Sequence, residues 1–422
     1  MRELNFVSLA SLADVTMGQS PGADLCNTND KGLPFLQGCA EFGARNPQAA
    51  VFCDPPLRTA KAGSVLISVR APVGTMNYAD QDYCIGRGLG AFKAKPSVSN
   101  TIFLKHAVEH NAVYLHRRSQ GSTFAAVSTD DVRTVPIPAF AVSKQNEIAA
   151  ILAATDIAIE KTEALIAKYQ QIKAGLMHDL FTRGVLPNGQ LRPIGASIQT
   201  PFGKIPSEWR LGSILELTDL QRQPILTGPF GADLGSADFV AEGVPVLRIG
   251  NVQQGRLDLA DLLHISTRKA ATLSRYRIKE GDLLFARQGA TTGRNALADE
   301  CVEGYLINYH IIRVALGHER CAPLFVETAF ANDIVKRQVE RDKGRGTREG
   351  INTAQLTSLA FPIAPLPEQR LIAKILSKHN SFLLAAVLEM QSLQMNKLGL
   401  MHDLLTGKVP VQVDEGNAGA CM

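Results

Sequence analysis

Gly175-Leu-Met-His-Asp-Leu180 and Gly399-Leu-Met-His-Asp-Leu404 are the same six residues, 224 positions apart. The offset holds backwards without a gap. Ile148-Ala-Ala-Ile-Leu152 matches Ile372-Ala-Lys-Ile-Leu376, Gln145 matches Gln369 and Pro138 matches Pro362. Two copies of a segment of about 45 residues therefore lie half a chain apart. So long a period excludes a solenoid and indicates a duplicated two-part unit.

Each copy has helical periodicity. Ile148, Leu152, Thr155, Ile159, Thr162, Ile166 and Tyr169 alternate in steps of four and three. Ile372, Leu376, His379, Leu383, Ala386, Met390 and Leu393 hold the same seats in the second copy. This is the stripe of a helix–helix seam, with Ile148, Leu152, Ile159, Ile166, Ile372, Leu376, Leu383 and Met390 as its apolar positions and Thr155 and His379 as polar seats. Prolines precede both copies and Gly184 and Gly407 follow them, as start and stop signals. A helix from Lys144 to Leu180 is a rod of roughly 55 Å at ~1.5 Å per residue.

Upstream of each rod the sequences match only weakly. Gly32-Leu-Pro-Phe-Leu-Gln-Gly38 is like Gly243-Val-Pro-Val-Leu-Arg-Ile249, and Gly63-Ser-Val-Leu-Ile-Ser-Val-Arg70 is like Gly281-Asp-Leu-Leu-Phe-Ala-Arg287. These read as apolar strands opened by Gly, the second pair closed by Arg. The expected division is a first domain over 1–142, a helix over 143–181, a linker over 182–204, a second domain over 205–366, a second helix over 367–405 and a tail over 406–422. Diverged domains on retained rods suggest two different targets read by one frame.

Composition narrows the class. The chain has 422 residues, with 45% hydrophobic and 20% charged, which fits globular domains and not disorder. No uninterrupted apolar run reaches the ~18 residues of a membrane span, and no signal peptide is read at the N-terminus. Seven cysteines, at 26, 39, 53, 84, 301, 321 and 421, are scattered and never spaced CxxC, which fits a reducing cytosol. The net charge of +4 permits a nucleic-acid partner without demanding one.

Several motifs carry catalytic patterns. Gly18-Gln-Ser20-Pro-Gly22 satisfies G-x-S-x-G, but Pro21 and Gly22 follow where a nucleophile elbow needs a helix. His106-Ala-Val-Glu-His110 satisfies H-x-x-E-H, yet no third metal ligand is evident, and solvated histidines on a surface helix are the simpler reading. Asp54-Pro-Pro-Leu57 approaches the motif of amino-methyltransferases, but Leu57 cannot stack a flipped base. No P-loop is present. No catalytic constellation and no metal site is expected in this chain.

What remains is basic. Arg268, Lys269, Arg275, Arg277, Lys279, Arg287 and Arg294 stand against Glu280 and Asp282, and Arg341-Asp-Lys-Gly-Arg-Gly-Thr-Arg348 packs four more cations into eight positions. Arg reads guanine bidentately and Gln reads adenine, and either also holds phosphate; the bland alternative is a solvated charged face.

In order, Met17-Gly18-Gln19-Ser20-Pro21, Pro34-Phe35-Leu36-Gln37-Gly38, Glu208-Trp209-Arg-Leu211-Gly212, Gly228-Pro-Phe-Gly231, Val246-Leu-Arg248-Ile-Gly-Asn251 and Pro367-Glu368-Gln369-Arg370 resemble the specificity subunit of type I restriction–modification systems, over residues 6 to about 410. The first copy departs from the pattern at Phe140-Ala-Val-Ser143, where the second has its Pro-Leu-Pro-Glu lead-in. The resemblance implies an α+β chain of two mixed α/β target-recognition domains joined by two long antiparallel, coiled-coil-like helices that act as a spacer. It implies a non-catalytic, cytoplasmic subunit reading a bipartite double-stranded DNA site. Partners would be two methyltransferase subunits, which bring S-adenosylmethionine, and restriction/translocase subunits, which bring ATP and Mg. The alternative is a self-contained DNA methyltransferase or nuclease. Expected DNA contacts are Gln37, Arg70, Gly121, Ser122 and Thr123 in the first half, and Arg248, Arg287, Lys343, Arg345 and Arg348 in the second. Half-sites on one DNA face lie roughly 34–36 Å apart. The bases recognised and the spacer length are not legible in the sequence.

Overall fold

The computed structural model describes residues 4–119, 126–344 and 349–411. The chain forms two compact units, residues 1–166 with 386–422, and residues 167–385. Both are α+β, and each takes a part of both long helices, Val142–Arg183 and Leu366–Leu405.

In the first unit a four-stranded antiparallel sheet has the order Ala13–Met17, Leu89–Ala94, Val65–Ser68, Met76–Tyr78. A second sheet has the order Cys26–Asn27, Val51–Cys53, Leu33–Leu36, Tyr83–Ile85, Thr59–Ala60, with Leu33–Leu36 parallel to Tyr83–Ile85. Phe6–Ser8 pairs with Pro136–Pro138. Val65-Leu-Ile-Ser68 is buried on both faces, which is why it reads as an unbroken apolar run. Helix Thr101–His110 begins at Asn100, whose side chain accepts from the N–H groups of Ile102 and Phe103. Its inner face packs with Ile148, Leu152, Met401, Leu404 and Leu405 in one core.

The second unit repeats this plan. Its four-stranded sheet has the order Ile225–Thr227, Ile311–Val314, Leu283–Ala286, Asn295–Leu297. Its other sheet runs Phe239–Val240, Leu263–Ile265, Val244–Leu247, Leu306–Ile307, again with one parallel pair, Val244–Leu247 beside Leu306–Ile307. Arg210–Gly212 pairs with Phe361–Ile363. Phe181, Trp209 and Phe325 form an aromatic cluster in a core that also takes in Ile372 and Leu376. The duplication read in the rods thus extends through the strand order of the diverged domains.

The segment 182–204 is built into the second unit rather than strung as a free tether. Ser197–Thr200 and Gly203–Pro206 form a hairpin. Arg192 is 5% exposed and donates to both oxygens of Glu368, at 2.5 and 2.9 Å, and to Glu208 at 2.7 Å. Burying that guanidinium is tolerable only because two carboxylates face it.

Within each unit the two long helices run antiparallel. In the first, Ile148 and Leu152 share a core with Met401, Leu404 and Leu405, and Lys397 reaches Asp156. In the second, His379 Nε2 donates to the Tyr169 carbonyl at 2.8 Å, and Leu180 and Phe181 share a core with Ile372 and Leu376. The whole four–three stripe is buried or half-buried: Ile148, Leu152, Thr162 and Ile166 on the first helix and Ile372, Leu376, His379 and Ala386 on the second are buried, with Ile159, Leu383 and Met390 half-buried. Thr155 instead donates to Ile151 of its own helix. The second helix contains an 18-residue window of mean hydropathy 1.4, long and apolar enough to cross a membrane by length and composition alone, which a search for unbroken apolar runs does not register.

Candidate nucleic-acid interface

At one end of the paired sheets, each unit brings three strand ends and the loop between two strands together. In the first unit, Gly18 N–H donates to Leu89, Gly86 N–H to Leu36, Val69 N–H to Gly88 and Val127 N–H to Val69. In the second, Gly228 N–H donates to Ile311, Asn308 N–H to Leu247, Arg287 N–H to His310 and Ile351 N–H to Arg287. These four bonds are the same bonds in two copies. Gly is required where the loops cross: a Cβ on Gly18 would lie 2.1 Å from the Gly86 carbonyl oxygen, and one on Gly228 2.2 Å from that of Asn308.

The backbone repeat fixes which side chains are equivalent. Gln37 follows Leu36 as Arg248 follows Leu247, so these two correspond. Arg70 bridges Ala126 as Gln288 bridges Gly350, so Arg70 corresponds to Gln288 and not to Arg287. Arg287 occupies the seat of Val69. Its guanidinium turns inward, donating from Nε to the Ile351 carbonyl (3.2 Å) and from Nη1 to the Tyr309 carbonyl (3.3 Å). Burial holds it below its usual pKa. Arg287 is half-buried and braces the loop through these two carbonyls.

The other expected contacts fall as follows. Gln37 is exposed and its Nε2 donates to the Ser20 hydroxyl at 3.2 Å; the same hydroxyl accepts from the Arg87 N–H. Arg70 is exposed. Arg248 is half-buried, its Nη2 donating to the Asp261 carbonyl at 2.6 Å. Lys343 ends helix Asp333–Lys343 and lies 3.7 Å from Glu340. Gly121, Ser122, Thr123, Arg345 and Arg348 lie outside the described residues. Of the basic run, Lys269 pairs with Asp238, Arg277 donates to the Gly304 carbonyl and Arg294 to Gln253, so much of that charge is held internally.

Sequence reading missed Ser20 and Arg87 in the first unit, and Phe230, Gln288, Tyr309 and His310 in the second. Phe230 is 58% exposed and its ring lies 5.5 Å from that of Tyr309, whose ring lies 3.7 Å from that of His310. His310 Nδ1 and Gln288 Oε1 are 2.5 Å apart. Burial, then the neighbouring Arg287 charge, holds His310 below the usual histidine range, so it is neutral at pH 7. The two faces share a backbone and differ in chemistry, hydrogen-bonding and cationic in one, partly aromatic in the other.

The motifs with catalytic patterns resolve structurally. Ser20 lies in the turn after Ala13–Met17. Leu57 follows a cis Asp54–Pro55 bond. His106 is not solvated: it is 0% exposed, with Nδ1 3.4 Å from Glu109 and Nε2 3.5 Å from Asp156. Lys105 and Lys397 complete this cluster, Lys397 reaching Asp156 at 2.9 Å and Glu109 at 3.0 Å. The cluster ties Thr101–His110 to both long helices. Among the described residues, no group of three or more His, Cys, Asp or Glu side chains is placed to hold a metal ion.

The family model for the type I restriction modification DNA specificity domain matches residues 1–171 and 208–387, one match for each copy of the plan described above. The chain belongs to this specificity family. Among curated relatives it is 33% identical to a Methanocaldococcus jannaschii protein named as the MjaX type I restriction enzyme specificity subunit, over 40% of this chain and 40% of that one. The chain thus spans well under half the length of that relative. It is 21% identical to the MjaVIII specificity subunit of the same organism over 75% of this chain and 72% of the relative. Among solved structures, the fold is similar to the type I restriction–modification S subunit from M. genitalium, with a TM-score of 0.63 and 15% identity over 96% of this chain and 97% of that one. A chain from work on complex assembly and conformational transition of the type I R-M system gives a TM-score of 0.55 at 15% identity, over 97% and 99%. At that identity the likeness is one of fold.

Proposed function

We propose that this chain is the DNA sequence-recognition subunit of a type I restriction–modification complex, each unit reading one half of a bipartite double-stranded site. The observation that carries this reading is the pair of loop faces with one backbone and different side chains. A duplicated frame with diverged tips suits two different half-sites. In the first unit Gln37, Arg70, Arg87 and the segment with Gly121, Ser122 and Thr123 form the contact set. In the second the set is Arg248, Lys343 and the segment with Arg345 and Arg348. Arg and Gln in these sets read base edges or hold phosphates.

The chain is non-catalytic in this reading. Methyl transfer belongs to two methyltransferase subunits carrying S-adenosylmethionine, and cleavage and translocation to subunits carrying ATP and Mg, in the cytoplasm. The long helices supply docking faces for partners: within the first unit Leu388, Met395 and Leu398 stay exposed at steps of seven and three, the spacing of a second helix seam. A partner helix laid there accounts for the high hydropathy of that helix without a membrane. In the self-contained methyltransferase alternative, the isolated chain would transfer methyl groups.

The test is selection from a random duplex pool by the chain assembled with its methyltransferase subunits. The expected product is a split motif. Arg70→Ala should either relax one position, at ~1–3 kcal/mol, or weaken all sequences alike and reduce the salt slope by about one. Unchanged affinity, motif and slope for both Arg70→Ala and Arg248→Ala would remove the loop faces from the contact set.

A further inference from the structure

The second unit's loop face carries one arrangement more specific than a basic or polar tip. Gln288 and His310 are joined side chain to side chain, and both backbones are pinned. The Gln288 main chain bridges Gly350, and its carbonyl accepts from Thr291 Oγ1. The His310 N–H donates to Asn308 Oδ1, and its carbonyl accepts from Arg287. With Nδ1–H donating to Gln288 Oε1, the ring leaves Nε2 as a lone-pair acceptor, and the amide leaves Nε2–H2 as a donor. The amide as placed puts Oε1 against Nδ1, so the free donor is on Gln288 and the free acceptor on His310; the opposite tautomer with the amide turned over reverses that order. Neither free atom has a partner among the described residues, and neither is among the buried atoms lacking one, so both reach solvent. Next along the face come Tyr309 and the exposed ring of Phe230.

We propose that Gln288, His310 and Phe230 form a reader for an A·T base pair, with the amide–imidazole pair on the adenine edge and the phenyl ring against the thymine methyl. In the major groove adenine presents an acceptor at N7 and a donor at N6, followed across the pair by thymine O4 and the C5 methyl. The face presents donor, acceptor, a phenol and an apolar ring in that order. Guanine offers two acceptors there, N7 and O6, and would set its O6 against the imidazole lone pair. A neutral His310, as burial and Arg287 make it, is the form that keeps that lone pair. The brace from Arg287 fixes the Tyr309 carbonyl, so the pair is held in place before DNA arrives. This inference rests on the DNA-recognition reading above.

The experiment is selection from a random duplex pool by the chain assembled with its methyltransferase subunits, for the natural sequence and for Gln288→Ala, His310→Ala and Phe230→Ala. The natural complex should demand adenine at one position of one half-site. Gln288→Ala and His310→Ala should both relax that same position, losing about tenfold to hundredfold of discrimination, and leave the other half-site unchanged. Binding to the selected duplex with uracil in place of the thymine opposite that adenine should be weaker than to the thymine duplex for the natural complex, and equal for Phe230→Ala. The unaltered half-site reports that each variant is folded and assembled; a variant that fails to assemble is replaced by His310→Gln, which should also move that position. Variants that select the same motif as the natural chain, or a natural motif with guanine at the position that these variants relax, would overturn the A·T reader alone. Selection of no motif by the natural complex would overturn the DNA-recognition reading and the inference with it.

Discussion

Gln145 and Gln369, each 1% exposed and 224 residues apart in the chain, make the same two hydrogen bonds at the start of the two long helices. Gln145 Nε2 donates to the Phe140 carbonyl at 2.8 Å, and its Oε1 accepts from the Asn100 N–H at 3.1 Å. Gln369 Nε2 donates to the Ala364 carbonyl at 2.8 Å, and its Oε1 accepts from the Ala322 N–H at 3.1 Å. Each glutamine therefore ties the first turn of a long helix to the residue before a shorter helix of its unit. Gln145 also accepts from the Ser99 hydroxyl.

Gln369→Ala should destabilise the protein by about 1–3 kcal/mol for each buried backbone group it strands, and Gln145→Ala by a similar amount. Urea unfolding followed by circular dichroism measures this. Midpoints unchanged within error would show that water satisfies these groups instead.

Lys397→Met should destabilise the first unit by about 2 kcal/mol, less than a fully buried pair costs, because Glu109 is 36% exposed. Burial opposes the charge on Glu109 and Asp156, but His106, Lys105 and Lys397 outweigh it and hold both carboxyls below their usual range. Burial also lowers His106. All three signs agree: the unfolded chain binds more protons, so stability present near pH 7 declines below about pH 6.5 through His106 and further below about pH 4 through the carboxylates. Removing the Lys397 charge should move the acid-unfolding midpoint upward. A midpoint that stays or falls would contradict the cluster's role.

Glu327 has the opposite sign. It is 8% exposed on helix Pro323–Ala329, and burial pushes its carboxyl up to about 7, with Lys173 opposing. The folded state binds the proton more tightly, so stability is lost as pH rises from the ordinary glutamate value to about 7. Glu327→Gln should remove that loss and stabilise the protein by about 3 kcal/mol at pH 8, with little effect at pH 5. Thermal melts at the two pH values decide it; destabilisation at pH 8 would mean that Lys173 pairs with an ionised Glu327.

The rods were legible because a helix seam demands an apolar residue every three or four positions, and both copies keep one register. The domain repeat was visible only as Gly-opened apolar strands, since the sequences of the two domains have diverged around a shared backbone. The slip between Arg70 and Arg287 shows how strand periodicity misleads. Both apolar runs end in Arg, but the second is one residue shorter, and one step along a strand reverses the side chain's face. Arg287 therefore takes the seat of Val69, and Gln288 that of Arg70. His106 escaped because its neighbours Lys105 and Glu109 look like a solvated helix face, while Lys397 lies almost 300 positions away. Phe230, Tyr309 and His310 come from loops with no shared spacing; the close-approach glycines Gly18 and Gly228 were the available signal.

In the proposed function two units read two half-sites. Its most direct test is a map of methylated bases in DNA from cells carrying this chain with its methyltransferase partners, repeated with the second unit's tip altered at Arg248→Ala and Gln288→Ala. The expected map is a split motif with an unread gap, of which the altered chain changes or loses one half while the other half and the gap stay fixed. A continuous motif, or changes falling in both halves, would contradict it.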